Sequence, residues 1–322
     1  MNKMTFEEFV QEVIDTIKLF LPGKYDGASI TTHEVVKNNY IHLTALIIQN
    51  GESNVAPSIY LNSFYEQYQD GKNMSEIMVQ ISEVQLSHEV TQDFDVKSVT
   101  EWEQVKDKIV PRVVGAEMNE ELLSERPHTM VADLAVTYHI MLGENSNGTM
   151  SIPVTNQLME HYGVTIEELH EAATTNMPEL SPATFKSMNE VMRDMMLPNV
   201  IEACDGDVEA AKEMIESMMP AENVMYVVSN EQKMHGATSI INPVLMDRIA
   251  EQVGDNYFIL PSSLHECLVV PREAGMDYKE LEAMVKEVNA TQVSVADRLS
   301  DHVYAYDQII MRFILLNKSR SI

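Results

Sequence analysis

Cysteine is almost missing from this chain. Cys204 and Cys267 are the only two among 322 residues, so there is no disulfide framework and no CxxC pair, and two buried thiols in a reducing compartment are expected. Basic charge is scarce as well: 22 Lys and Arg stand against 50 Asp and Glu, a formal net charge of −28. A surface that negative repels the phosphates of nucleic acids and the headgroups of anionic lipids, so neither direct nucleic-acid binding nor a membrane partner is expected. Long apolar runs are lacking too. "LTALII" and "FILL" fall far below the ~20 residues of a membrane span. The opening "MNKMTFEEFVQEV" is acidic and amphipathic, unlike a signal peptide, and a cytoplasmic location is the expectation.

The short motifs whose mechanics are known are also missing. There is no P-loop, no GxGxxG after a strand, no GxSxG and no HExxH, so the usual signatures of nucleotide, dinucleotide, acyl-transfer and zinc chemistry do not occur. Sites can still be assembled from residues distant in sequence, and fifty carboxylates with ten histidines leave material for an acid–base pair.

What is present reads as a folded protein: 45% apolar and 22% charged residues, over a length comfortable for two cores. Phe6, Phe9, Val10, Val13, Ile14 and Ile17 share a helical face that Pro22-Gly23 ends, which predicts a helix over about 5–21. The β-branched stretches Ser29–Val36, His42–Gln49 and Asn54–Tyr60, separated by "KNNY" and "NGES", predict three antiparallel strands, the second turn being a tight Asn-Gly hairpin. Helices follow over 62–70 and 74–90, the latter opened by Asn73 with Glu76 at capping-box spacing. The first domain is therefore 1–95. A charged stretch leads to Pro111, and the second domain spans 108–318.

Within the second domain, "LAVTYHIML", "ENSNG" and "TMSIP" predict strand, turn and strand. Thr165 with Glu168 forms a capping box, and Ser181-Pro182 places a cap before a proline, so 165–219 reads as all helix, an insert of about 165–220 in an α+β domain of antiparallel hairpins. Three segments suggest a repeated strand–turn–strand–helix unit: "APSIYLNSFYEQYQDG", "GTMSIPVTNQLMEHYG" and "GATSIINPVLMDRIAEQVG". Asn62, Thr155 or Asn156, and Asn242 stand at the expected N-caps.

The stretch "ILPSSLHECLVVP" gathers serines, a histidine, a glutamate and a cysteine, yet it reads as a hairpin. His265 and Glu266 fall on consecutive strand positions and so point to opposite faces, which does not suit a base and its orienting partner. This stretch resembles an uncharacterised bacterial family known only as a domain of unknown function, largely from anaerobic Gram-positive bacteria. "VPRVVGAEMNEELLSERPHTMVADLAVTYHI", "VTNQLMEHYGVTIEELHEAA" and "VNATQVSVADRLSDHVYAYD" carry the likeness over most of the chain. A second uncharacterised bacterial family is similar in layout. The resemblance implies a shared α+β fold and supplies no reaction, ligand or catalytic residue.

Four His-Glu pairs, at His33, His88, His170 and His265, suggest metal chemistry, and Glu167 with His170 forms one Glu-x-x-His, but the second copy that di-iron bundles require is missing. No catalytic, cofactor or metal residue is assigned. Met188, Met192, Met195, Met196, Met214, Met218 and Met219 recur at helical spacing, which suits core filling or, alternatively, a partner-docking surface on an acidic insert. The expected function is a binding or regulatory protein that docks a protein partner through that insert. The alternatives are a hydrolase using His265 or Glu266, and a DNA mimic built on Glu202, Asp205, Asp207, Glu209, Glu213 and Glu216, acids that a helix from about Asp207 spreads partly round its axis.

Overall fold

The computed structural model describes residues 3–89, 94–145, 148–219, 225–254, 256–261, 263–307 and 312–315. Val90, the turn residues Ser146 and Asn147, Asn223 and Val224 of one expected strand, and Ser262 lie outside them. The chain divides into two compact units, Met1–Ser98 and Val99–Ile322. The fold is α+β, and every pairing between described strands is antiparallel. No helix among the described residues is long and apolar enough to cross a membrane.

In the first unit, Thr5 and Glu8 form a capping box that opens α1 (Phe6–Thr16), which tightens into a 3-10 turn over Ile17–Phe20. Its face of Phe9, Val13 and Ile17 is buried in one core with Leu46, Ile48, Ile59, Ile77 and Ile81. These come from the sheet β1 (Ser29–Lys37), β2 (Ile41–Gln49), β3 (Ser58–Tyr60) and from α3 (Met74–Ser87), which follows α2 (Asn62–Gln69). The tight Asn-Gly hairpin is not formed. Glu52 N–H donates to the Asn50 side chain at 3.0 Å, a local turn that lets the connection run from 50 to 57. Asn62 is not an N-cap either. Leu61 holds that position, and the Asn62 side chain accepts from Thr44 N–H at 2.8 Å, fastening α2 to β2.

The second unit begins within α4 (Lys97–Thr100) and continues through α5 (Trp102–Val105). One sheet has the order β4 (Ile109–Gly115), β6 (Leu134–Asn145), β5 (His128–Val131), with β7 (Gly148–Pro153) also on β6; α6 (Glu120–Ser124) precedes β5. After α7 (Asn156–Tyr162), the Thr165–Glu168 capping box opens α8 (Ile166–Leu180), which packs on this sheet with Leu169, Ala173 and Met177 buried.

The second sheet has six strands. Its order is β13 (Arg312–Leu315), β12 (Tyr304–Asp307), β10 (Asn256–Leu260), β11 (Cys267–Pro271), β9 (Tyr226–Asn230), β8 (Ala183–Ser187). Alternation along β10 serves both faces: the Tyr257 hydroxyl donates to the Met246 carbonyl on α11 (Pro243–Val253) at 2.9 Å, whereas Phe258 and Leu260 join Leu281 and Val285 of α12 (Tyr278–Thr291). The sheets are tied by polar contacts. Tyr304 O–H donates to Asp133 at 2.8 Å, and Val113 N–H to the Thr238 hydroxyl at 3.2 Å.

Two sequence expectations are corrected here. The all-helical stretch 165–219 is interrupted by β8, because Ala183–Ser187 pairs with β9 from Ala183↔Asn230 to Ser187↔Tyr226. Ser181 accordingly ends α8 instead of capping a new helix, and Ser187, with Glu190, caps α9 (Met188–Ala203); α10 is Val208–Met218. The repeat fails at its third copy. Gly236–Ile241 is a 3-10 turn, held by Ala237 N–H to the Leu264 carbonyl at 3.2 Å and Ser239 O–H to the Ser229 carbonyl at 2.9 Å, which leaves no strand edge to pair. Thr155, and Asn242 with Pro243, do cap their helices.

Candidate functional site

The excursion between β8 and β9 is a helical hairpin, α9 and α10. α9 carries Met188, Val191, Met192, Met195, Met196, Leu197, Val200 and Ile201, and at 100° per residue these are spread round the axis, interleaved with Glu190, Arg193, Asp194 and Glu202. None of its residues is fully buried. α10 buries Ala211 and Ile215 and packs on α9. Met195 is 68% exposed and Met218 61%, and Met192, Met214 and Val208 are exposed as well. The core-filling reading of the methionines therefore fails for Met192, Met195, Met214 and Met218.

Acids rim this surface. Over 183–219, Glu190, Asp194, Glu202, Asp205, Asp207, Glu209, Glu213 and Glu216 face three basic residues, of which Lys186 is held by Asp194 at 2.6 Å and Lys212 by Glu209 at 2.8 Å. The expected spread of acids round the axis is corrected in part. Glu209, Glu213 and Glu216 fall at i, i+4 and i+7 of α10, one stripe about 10 Å long, against roughly 34 Å for a turn of duplex.

The loop of "ILPSSLHECLVVP" behaves differently from the sequence expectation. β10 and β11 do pair as a hairpin, but His265 and Glu266 lie in the connection and not on a strand. His265 N–H donates to the Ser263 hydroxyl at 3.0 Å, and its Nδ1 accepts the His235 backbone N–H at 3.2 Å. Its Nε2 meets Asp297 Oδ1 at 3.4 Å. Both ring nitrogens are committed, so the ring ties three segments together and has no lone pair left for a serine. Cys267 is fully buried, and burial drives its thiol pKa far up, so it is no nucleophile.

The Glu-x-x-His of α8 lies in a groove of about 610 Å³ between α8 and β5, lined by His128, Met130, Ile166, Glu167, His170 and Glu171. Behind it runs a polar chain that sequence reasoning missed: Thr129 Oγ1 to the Tyr138 hydroxyl at 2.6 Å, and Tyr138 to His170 Nδ1 at 3.0 Å. Burial lowers the His170 pKa and raises that of Tyr138, so the pair is neutral near pH 7. His128 Nδ1 donates to the Arg126 carbonyl at 2.9 Å, which fixes its tautomer.

The remaining His-Glu pairs do not converge with these. His33 and Glu34 are exposed on β1; His88 ends α3, and Glu89 accepts from Lys24 at 2.6 Å and from the Tyr25 hydroxyl at 2.7 Å. Among the described residues, no group of three His, Cys, Asp or Glu side chains is arranged to hold a metal ion. Nothing among curated proteins or solved structures matches the chain. The family model of DUF5688 matches from Phe6 to His302 and a little beyond, residues 6–308, and the chain therefore belongs to this family of unknown function.

Proposed function

We propose that the protein is a cytoplasmic binding or regulatory protein whose α9–α10 hairpin receives a basic amphipathic helix from a protein partner. The observation that carries this reading is α9 itself. A surface helix ordinarily gathers its apolar residues into one stripe, yet those of α9 are spread round the axis between its charged residues, and none is fully covered. Unbranched, polarizable methionines adapt to more than one apolar face, and the acidic rim supplies the charge that Lys and Arg on the partner would meet. A second copy of this chain is disfavoured as the occupant, since two molecules of charge −28 repel.

The test is anisotropy of a labelled Leu/Lys amphipathic peptide titrated with the full chain. Saturable binding that weakens between about 0.1 M and about 0.5 M salt is expected, with a Leu/Glu peptide failing to bind. Because Ser187 and Tyr226 are register partners, residues 188–225 can be replaced by an Asn-Gly turn without disturbing β8 and β9. Undiminished binding by that variant, or equal binding of the Leu/Glu peptide, refutes the proposal.

A further inference from the structure

In a chain of charge −28, two arginines stand together at the first sheet of the second unit with no ion pair among the described residues. Arg112 on β4 is in register with Thr137 on β6, and Thr137 with His128 on β5, so the three form one row across the sheet. The Arg112 side chain reaches on to β7, where its Nη2 donates to the Ser151 hydroxyl at 2.8 Å. Arg126 stands close enough to act on it electrostatically. Among the described residues, no carboxylate lies within ion-pair distance of either guanidinium. Burial, and then the charge of Arg126, bring the Arg112 pKa from 12.5 down to about 10.

Beside Arg112 is a small cleft lined by Val110, Met141, Ser181, Gln232 and His235, with a volume of about 20 Å³. His235 is no counter-charge and adds no charge: burial first, then Arg112 and His265, hold its pKa at about 3. Gln232 Oε1 is buried without a partner, and a half-turn of that amide presents its NH₂ instead. The cleft has room for one to two water-sized groups at roughly 10–15 Å³ each. A planar carboxylate head is smaller and flatter than a tetrahedral phosphate, and so suits a cleft this narrow better.

We infer that this cleft binds a single carboxylate group in the fork of Arg112, with Gln232 as a second donor. The carboxylate belongs either to a small free acid or to a chain terminus. Bidentate contact with a guanidinium explains why an arginine occupies a half-buried position that an isolated charge would make costly. The site is separate from the α9–α10 surface and does not depend on it.

Saturation-transfer NMR on the full chain at constant ionic strength tests this. Acetate methyl signal is expected to saturate with concentration, to survive equal concentrations of phosphate or chloride, and to vanish in Arg112→Met. Arg112→Lys keeps the charge and loses the fork, so acetate affinity should fall at least about tenfold. Transfer to N-acetyl-glycylglycine but not to its amide would assign the carboxylate to a chain terminus; transfer to acetate alone would assign it to a free acid. Absence of transfer to acetate in the wild type, displacement by phosphate or chloride, or an unchanged affinity in Arg112→Lys overturns the inference. Arg112→Lys carries the decision alone where Arg112→Met does not fold.

Discussion

The backbone N–H of His235 donates to Nδ1 of His265 across thirty residues of sequence, at 3.2 Å. With Nδ1 an acceptor, the neutral ring of His265 carries its proton on Nε2, facing Asp297. His235 sits in the left-handed region, φ 55°, where it makes this contact, and its own ring lies 5.8 Å from that of His265 and within electrostatic reach of Arg112.

That burial gives a pH dependence with a definite sign. The folded-state pKa of His235, about 3, lies below the ordinary 6.5, so between those values the unfolded chain binds a proton that the folded chain does not. Stability therefore falls as pH drops through this window and is unaffected by this group above it. His235→Asn tolerates the left-handed backbone and removes the imidazole. Unfolding free energy measured by urea from about pH 7 to about pH 4 should lose a dependence of about one proton in this variant. An unchanged slope would show that the ring is protonated in the fold.

Gly236, the next residue, marks a close approach of three chain segments. A Cβ there would meet the His265 carbonyl oxygen at 2.5 Å, the Asn230 nitrogen at 2.6 Å and the Ser229 hydroxyl. Gly236→Ala should cost about 1–3 kcal/mol, the usual range for overpacking. Gly27→Ala is the control, since nothing lies within 4 Å of a Cβ there. Denaturant midpoints of the two variants should separate clearly.

Tyr138 is fully buried, and its hydroxyl joins Thr129 to His170. Tyr138→Phe keeps the ring and leaves both neighbours short of a partner, which should cost about 1–3 kcal/mol. The double variant with Thr129→Val should cost less than the two single losses added together, because the first substitution already breaks the chain. Strict additivity would mean the three groups are not coupled.

Elements with local instructions were legible in the sequence. Thr165, Asn73 and Asn242 cap the helices that their spacing announced, Thr155 caps where either it or Asn156 was expected, and hairpin alternation announced the antiparallel sheets. Expectations failed where a distant partner decides. Ala183–Ser187 became a strand only because Tyr226–Asn230 lies beside it, and Asn62 was drawn from capping to bridging by Thr44. The Tyr138–His170 contact spans 32 residues, the Arg112–Ser151 contact 39, and no local pattern encodes either. The α8 Glu-x-x-His was visible as a motif, while the groove that gives it an environment was not.

The methionine hairpin yields the last prediction, which separates a docking face from a core. If Met192, Met195, Met214 and Met218 served the core, replacing each would be costly, since removing a buried apolar side chain costs about 2–5 kcal/mol. They are exposed, whereas Ala211 and Ile215 on the same hairpin are buried. Each of the four changed to Gln should therefore shift the unfolding free energy by no more than about 0.5 kcal/mol, while Ile215→Ala should cost about 2–5 kcal/mol. The fourfold Gln variant should then keep its unfolding transition yet lose the affinity for the Leu/Lys peptide. A variant that unfolds at much lower denaturant would return the methionines to the core, and one that binds the peptide undiminished would place the docking face elsewhere.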